Sequence, residues 1–88
     1  MYIKELIYDI CDALNERRNS LRVFDGVYSY NAKTVSVTVA SAKTREYSLA
    51  TLRGINPKHC DGLDYIAYVF YVSLLKYGFE VKNVLIND

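Results

Sequence analysis

Little in this sequence favours flexibility. Among its 88 residues there are 1 proline and 4 glycines, and 51% of the residues are hydrophobic. Disordered chains are poor in hydrophobic residues, and low-complexity chains are often rich in proline and glycine. The composition therefore excludes both classes. A length of 88 residues suits one domain with a thin core, so we predict a single folded domain over residues 1–88.

Cysteine is also scarce, and Cys11 and Cys60 do not make the disulfide framework of small secreted domains. We see no signal peptide, which would have a basic N-terminal segment, an apolar stretch and a cleavage site of small residues. The apolar run at 65–75 is interrupted by Ser73 and is shorter than the roughly 20 residues that span a bilayer. We expect free thiols in the cytoplasm of a cell or of an infected host, and no membrane contact.

Catalytic motifs are missing as well. The only histidine, His59, precedes Cys60 and Asp61, but neighbouring loop residues seldom point at one another, and a thiol–imidazole pair needs an orienting group. Zinc needs four ligands, whereas Cys11, His59 and Cys60 supply three at most. Glycine-rich phosphate loops and nucleophile elbows are absent. We therefore expect no catalytic residue, no metal and no cofactor, and we interpret Asp61 as a helix cap.

Hydrophobic periodicity predicts two helices. The first covers Tyr2 to Arg18, and the second covers Leu63 to Tyr77, between the cap Asp61 and the terminating glycine Gly78. The apolar residues of the first helix recur at steps of three and four: Ile3, Leu6, Ile7, Ile10 and Leu14.

Three segments rich in valine, threonine and tyrosine are predicted to be strands, and the alternating segment after the second helix is predicted to be a last strand. Their predicted bounds are Leu21–Tyr30, Thr34–Ala42, Arg45–Leu52 and Phe79–Ile86. Asp25-Gly26 is a hairpin signal, but the strand continues apolar on both sides, which favours a bulge at Gly26. Ala42-Lys43-Thr44 is predicted to be a tight connection. The order α-β-β-β-α-β predicts an α+β fold, with two helices on a mostly antiparallel sheet of three or four strands.

The second helix lacks the polar face that a surface helix normally has. Beyond its first turn, Lys76 is the only charged residue. Five residues share one side, which we call the tyrosine face: Tyr65, Tyr68, Tyr71, Val72 and Leu75. Tyrosine is favoured at protein interfaces. We predict that the chain forms a homo-oligomer through this face, the alternative being that the face belongs to the core.

Four carboxylates form a band on the first helix, opposite its apolar side. We call it the acidic strip: Glu5, Asp9, Asp12 and Glu16. Like charges three or four residues apart destabilise a helix by about 0.2–0.5 kcal/mol per pair. A solvated polar face is the ordinary interpretation of such a strip. The cost nevertheless suggests a binding strip for a basic partner, and both interpretations stay open.

The middle of the chain is basic even though the net charge is only +1. Five of its cations lie in or beside the predicted strands and are the possible nucleic-acid contacts: Lys33, Lys43, Arg45, Arg53 and Lys58. If the hydroxyl residues at positions 34, 36, 38 and 48 face solvent, they and these cations could contact phosphates, and Tyr28, Tyr30 or Tyr47 could stack on bases. The low overall charge argues against a typical non-specific nucleic-acid binder.

These observations predict a small non-enzymatic protein-interaction module: a regulator, an adaptor, or an inhibitor of the kind that phages and mobile elements encode. This chain is likened to such inhibitors only because it is small and lacks catalytic groups. The module would self-associate through the tyrosine face and bind a macromolecular partner. One alternative is a nucleic-acid-binding domain that uses the basic sheet face. A second is a small-ligand or nucleotide binder with a pocket between the tyrosine-rich helix and the sheet.

Overall fold

The computed structural model describes residues 2–17, 21–40 and 43–88. Within these ranges the helices are α1 (Ile3–Glu16), α2 (Leu49–Gly54) and α3 (Gly62–Lys76). The strands are β1 (Val23–Ser29), β2 (Thr34–Val39), β3 (Arg45–Ser48) and β4 (Asn83–Asn87). The predicted α+β class is confirmed, with α2 as an additional short helix. The predicted element ends at Arg18 and Ala42 lie outside the described residues.

Both predicted ends of the tyrosine-rich helix, α3, are confirmed. The Asp61 carboxylate accepts the backbone N–H of Asp64 at 2.8 Å, which satisfies a free donor of the first turn. At the other end Gly78 has φ = +89°, and the Phe79 N–H donates to the Leu74 carbonyl at 2.9 Å. A glycine in this left-handed conformation ends the helix because it lacks a clashing side chain.

The last strand occupies the middle of the sheet, whose order is β1-β2-β4-β3. It runs parallel to β2 and antiparallel to β3. Consequently β2 and β3 are not neighbours, although the sequence predicted a tight connection between them. Val84 and Ile86 of β4 are fully buried, and burying both in a central strand outweighs the short local connection.

The third strand is shorter than predicted because Ser48 ends it. The Ser48 hydroxyl accepts the N–H of Thr51 at 3.2 Å and caps α2. Leu52, predicted to end the strand, is instead the buried residue of this short helix. A side-chain cap at the right spacing therefore overrides the strand pattern.

The predicted bulge lies in the first strand, but not at Gly26. The pairing of β1 with β2 shifts between Val23 and Asp25, whereas Gly26 pairs in register with Val37. A Cβ atom on Gly26 would lie 2.8 Å from Cγ2 of Ile7 in α1. The glycine therefore permits close packing of the first helix on the sheet, which the sequence alone did not indicate.

The core fills the space between the sheet and one layer of helices. α1 packs on β1 and beside α3, and α3 packs on β4. The residues of this core include Leu6, Ile10, Val37, Ile66, Phe70, Leu74 and Ile86. The opposite side of the sheet carries no helix in the described residues. None of the described helices is both long and apolar enough to cross a membrane.

Candidate functional site

The acidic strip lies on the outer surface of the helical layer. All four of its residues are exposed, and they lie opposite the buried side of α1. Among the described residues, none of the four carboxylates takes part in an ion pair. Within the described part of the chain, the strip thus presents negative charge to solvent without a paired cation.

The tyrosine face divides into a buried part and an outer part. Tyr71 is only 8% exposed and belongs to the core, so it is not available as the surface residue that the sequence predicted. Tyr65, Tyr68 and Val72 are half-buried, and Leu75 is 44% exposed. Val69, on the same outer side of the helix, is also half-buried. This outer side is apolar, since Lys76 at its border is the only charge beyond the first turn.

The Tyr65 side chain contacts the residue that follows α1 and is therefore not fully available to a partner. The guanidinium of Arg17, the residue that follows α1, lies 5.3 Å from the centre of the Tyr65 ring and donates a hydrogen bond to its hydroxyl. This cation–π contact joins the ends of the two helices. The outer apolar face of α3 is therefore formed by Tyr68, Val69, Val72 and Leu75.

A groove of about 240 Å³ separates α1 from α3. Leu6, Ile10 and Ala13 form one wall, and Val69, Ser73 and Tyr77 form the other. Asp9 of the acidic strip and Lys76 also line it. The groove therefore connects the acidic strip to the outer apolar face of α3. Such a volume is below the roughly 300–1,000 Å³ typical of small-molecule pockets, and it suits an anchoring side chain better.

A second groove, of about 220 Å³, lies between α1 and the first strand, next to Ile3 and Val27. Neither of these grooves lies between α3 and the sheet, where the small-ligand alternative would need its pocket. There Ile66, Phe70 and Leu74 are fully buried, which leaves the described helix–sheet contact filled by side chains.

The open side of the sheet is hydroxyl-rich, as the sequence predicted, but it carries acids instead of cations. Strand register places on this side the residues Asp25, Val27, Ser29, Thr34, Ser36, Thr38, Glu46, Ser48, Asn83, Leu85 and Asn87. Thr34 donates to Asn83, and Asn83 donates to Glu46 at 2.9 Å. The polar groups at this end of the face thus bind one another.

The structure does not bring the five predicted cations together. Lys33 lies in the turn before β2, whereas Lys43 precedes β3 at the other end of the sheet. Six residues of β2 at about 3.3 Å each separate the two ends. Arg45 is on the helical side and pairs with Asp61 at 3.5 Å and Asp64 at 3.1 Å. Arg53 lies on α2, and Lys58 lies in the loop that follows it.

Tyr47, suggested from the sequence as a residue that could stack on bases, is instead a buried link between the third strand and α3, and the equally suggested Tyr28 is buried too. Tyr47 is 2% exposed, and its hydroxyl donates to the Asp64 carboxylate at 2.6 Å. Arg45 donates to the same hydroxyl at 3.2 Å. Burial and the bond to Asp64 raise the pKa of Tyr47 to about 12, so it remains a hydroxyl donor at neutral pH. We interpret this cluster as a structural link between β3 and the first turn of α3.

The His59-Cys60-Asp61 run is not arranged as a catalytic set in the described residues. The Cys60 thiol is directed to the Pro57 carbonyl at 3.8 Å, the Asp61 carboxylate caps α3, and no described hydrogen bond joins either to His59. Across residues 2–17, 21–40 and 43–88, no three histidine, cysteine, aspartate or glutamate side chains converge in a way that could hold a metal ion.

The two thiols are expected to differ in reactivity. Burial, together with the nearby Asp25 and Asp12, raises the pKa of Cys11 to about 11. Slight burial and the nearby Asp64 and Asp61 also raise the pKa of Cys60 above its ordinary value, but this thiol is only partly buried and stays accessible. Thiolate is the reacting species, so a pKa of about 11 rather than 9 lowers its amount roughly a hundredfold. Under native conditions we expect iodoacetamide to modify Cys60 and to leave Cys11 unmodified until the protein is unfolded. Peptide mass mapping after timed alkylation measures this, and early modification of Cys11 would contradict its placement in the core.

Comparisons of the chain with protein-family models, with curated proteins and with solved structures gave no match.

Proposed function

We propose that this chain is a non-enzymatic protein-interaction module that binds a basic protein partner through its helical layer. The observation that carries the proposal is the groove between α1 and α3, which places the acidic strip directly beside the outer apolar face of α3. The module acts in a reducing cytoplasm, of a cell or an infected host, as a regulator, adaptor or inhibitor that occludes or bridges its partner.

Charge and apolar surface have separate roles in this proposal. The acidic strip attracts and orients a basic partner, because complementary charge mainly raises the rate and specificity of association. Apolar side chains of the partner then enter the groove and cover Val69, Val72 and Leu75, which supplies most of the affinity. The partner's matching element is an amphipathic segment with lysine or arginine on one side and large apolar residues on the other.

The geometry favours a different protein over a second copy at this layer. A second copy that covered the outer apolar face of α3 would bring its own acidic strip to the same layer, and facing like charges oppose association. Tyr71 lies in the core and Tyr65 is engaged by Arg17, so the surface available for self-association is smaller than the sequence suggested. Self-association through the tyrosine face stays a prediction.

Reversal of charge in the acidic strip tests the proposal. The probe is a synthetic helix-forming peptide with leucines on one side and lysines on the other, followed by fluorescence anisotropy at two salt concentrations. We expect Asp9→Lys/Asp12→Lys to weaken binding by about tenfold or more, equivalent to about 1.4 kcal/mol, and to reduce its salt dependence. Leu75→Gln should weaken binding several-fold with the salt dependence retained, because it removes apolar contact only.

The matched control is Glu80→Lys/Asp88→Lys, which changes net charge equally at exposed positions outside the helical layer. Its binding should stay within about twofold of the unaltered protein, since only the overall charge differs. Equal losses in the two double variants would mean that net charge alone attracts the peptide. That result, or unchanged binding by Asp9→Lys/Asp12→Lys, would reject the acidic strip as a binding surface.

A further inference from the structure

The two edges of the sheet differ in how they are closed. At one edge β3 has only four residues, carries Arg45 and Glu46, and runs directly into α2. Short, charged edges discourage pairing with another strand. At the other edge β1 has seven residues and no lysine, arginine or proline. The first strand is therefore the edge at which a further strand can be added.

Exposed apolar side chains concentrate at this same edge. Phe24 and Val27 are each 60% exposed, and Tyr30, the residue after β1, is 55% exposed. Outside the helices and the residues flanking them, these are the large hydrophobic side chains that the described structure exposes most. An exposed edge strand with apolar side chains is a site for association.

Side-chain bonds define which part of the edge is available. Asn15 of α1 both donates to the Val23 carbonyl and accepts the Val23 N–H, each at 2.8 Å. Farther along, the Gly26 N–H donates to the carboxylate of the adjacent Asp25 at 2.8 Å and not to a carbonyl of β2. Backbone groups alternate in direction along a strand, so Gly26 and Tyr28 present theirs to the outer edge. The segment from 24 to 30 is thus open to a partner that can replace the Asp25 bond.

We propose that a second copy of this chain pairs with this edge, antiparallel, with the two-fold axis at Val27. The four-stranded sheets of two copies then join into one eight-stranded sheet. Although α1 borders this edge, through Asn15 and through the groove beside Val27, the pairing uses β1 and not the groove between α1 and α3, so the inference does not depend on the proposed function. Pairing Gly26 with Tyr28 of the second copy, and the reverse, forms four backbone hydrogen bonds.

Self-complementarity selects this register. Val27 faces its own copy, and Asp25 faces Ser29, whose hydroxyl can donate to the carboxylate. Phe24, at the bulge, and Tyr30, which follows the strand, lie at the two ends of the paired segment. A two-fold axis at Asp25 would instead place two carboxylates opposite each other, which destabilises a strand pair. An axis at Gly26 would place Asp25 against Val27 and leave the carboxylate without a donor. The Val27 register pairs apolar with apolar and leaves no charge facing an equal charge.

Cysteine cross-linking tests both the interface and its register. In a Cys60→Ser background, Val27→Cys should form a covalent dimer on mild oxidation. The paired α-carbons at a position without direct backbone bonds are about 4.5 Å apart, within the range that a disulfide needs. Asp25→Cys and Ser29→Cys are matched controls on the same side of the same strand. Each alone should cross-link at least about tenfold more slowly, whereas an equimolar mixture of the two should cross-link with each other.

Sedimentation equilibrium supplies an independent measurement on the full chain without cysteine substitutions. We expect reversible dimerisation that Val27→Lys abolishes, because it places two ammonium groups together at the axis. A monomer at all concentrations, or cross-linking of Asp25→Cys as fast as Val27→Cys, would overturn the proposal. So would a dimer that survives Val27→Lys but is lost in Leu75→Glu, because that result assigns self-association to α3.

Discussion

Replacing Gly26 by alanine is expected to lower the free energy of unfolding by about 2–3 kcal/mol. The added methyl group would lie 2.8 Å from Ile7 Cγ2 and 3.3 Å from Phe70 Cε1. Cγ2 is bonded directly to the Cβ of a branched residue in a helix, where one side-chain rotamer dominates, so it cannot rotate away. Phe70 is fully buried. Relief therefore requires α1 to move away from the sheet, and urea denaturation measures the cost.

Gly54 provides the matched control for this substitution. It is the last residue of α2, and a Cβ there would have no heavy atom within 4 Å. Gly54→Ala should leave stability unchanged or raise it by about 0.4–1 kcal/mol, because alanine restricts the unfolded chain. Combining Gly26→Ala with Ile7→Leu, which removes Cγ2 at constant volume, should recover part of the loss. A Gly26→Ala protein as stable as the unaltered chain would contradict the close helix–strand contact.

Replacing Asn15 by alanine is the second change with a large expected effect. The Asn15 amide makes two bonds of 2.8 Å to the backbone of Val23, a residue that is only 2% exposed. The substitution leaves the Val23 N–H and carbonyl without these partners near the bulge. Each lost hydrogen bond costs about 1 kcal/mol, and more where the freed backbone group stays away from water. We therefore expect the free energy of unfolding to fall by about 2–4 kcal/mol, which urea denaturation measures.

Two further variants separate hydrogen bonding from other effects at this position. Asn15→Asp keeps the shape but replaces the donor to the Val23 carbonyl by an acceptor at neutral pH, so it should also destabilise. Asn31→Ala, in the exposed turn between β1 and β2, removes an asparagine for which the described residues show no side-chain bond, and it should change stability by less than about 0.5 kcal/mol. Equal effects of Asn15→Ala and Asn31→Ala would exclude the Asn15–Val23 link.

The association surfaces could be located from the sequence only in part. The acidic strip follows from spacing, because residues three and four apart share one side of a helix. Its position beside the apolar surface of α3 does not, since the groove depends on how α1 and α3 pack. The same limit applies to the exposed first strand, which is an edge because the last strand pairs with β2 and β3 and not with β1. Asn15 gave no sequence signal, since its bonds to Val23 join two separate elements.

By itself the sequence determined the class of fold, the long helices, the caps at Asp61 and Gly78, and the strip of carboxylates. These features depend on periodicity and on bonds between residues a few positions apart. Only the tertiary structure decided the central place of β4, the burial of Tyr71, the need for glycine at position 26 and the unequal sheet edges. The physical reason is that each of these results from contacts between elements distant along the chain, where burial of apolar surface outweighs local preference.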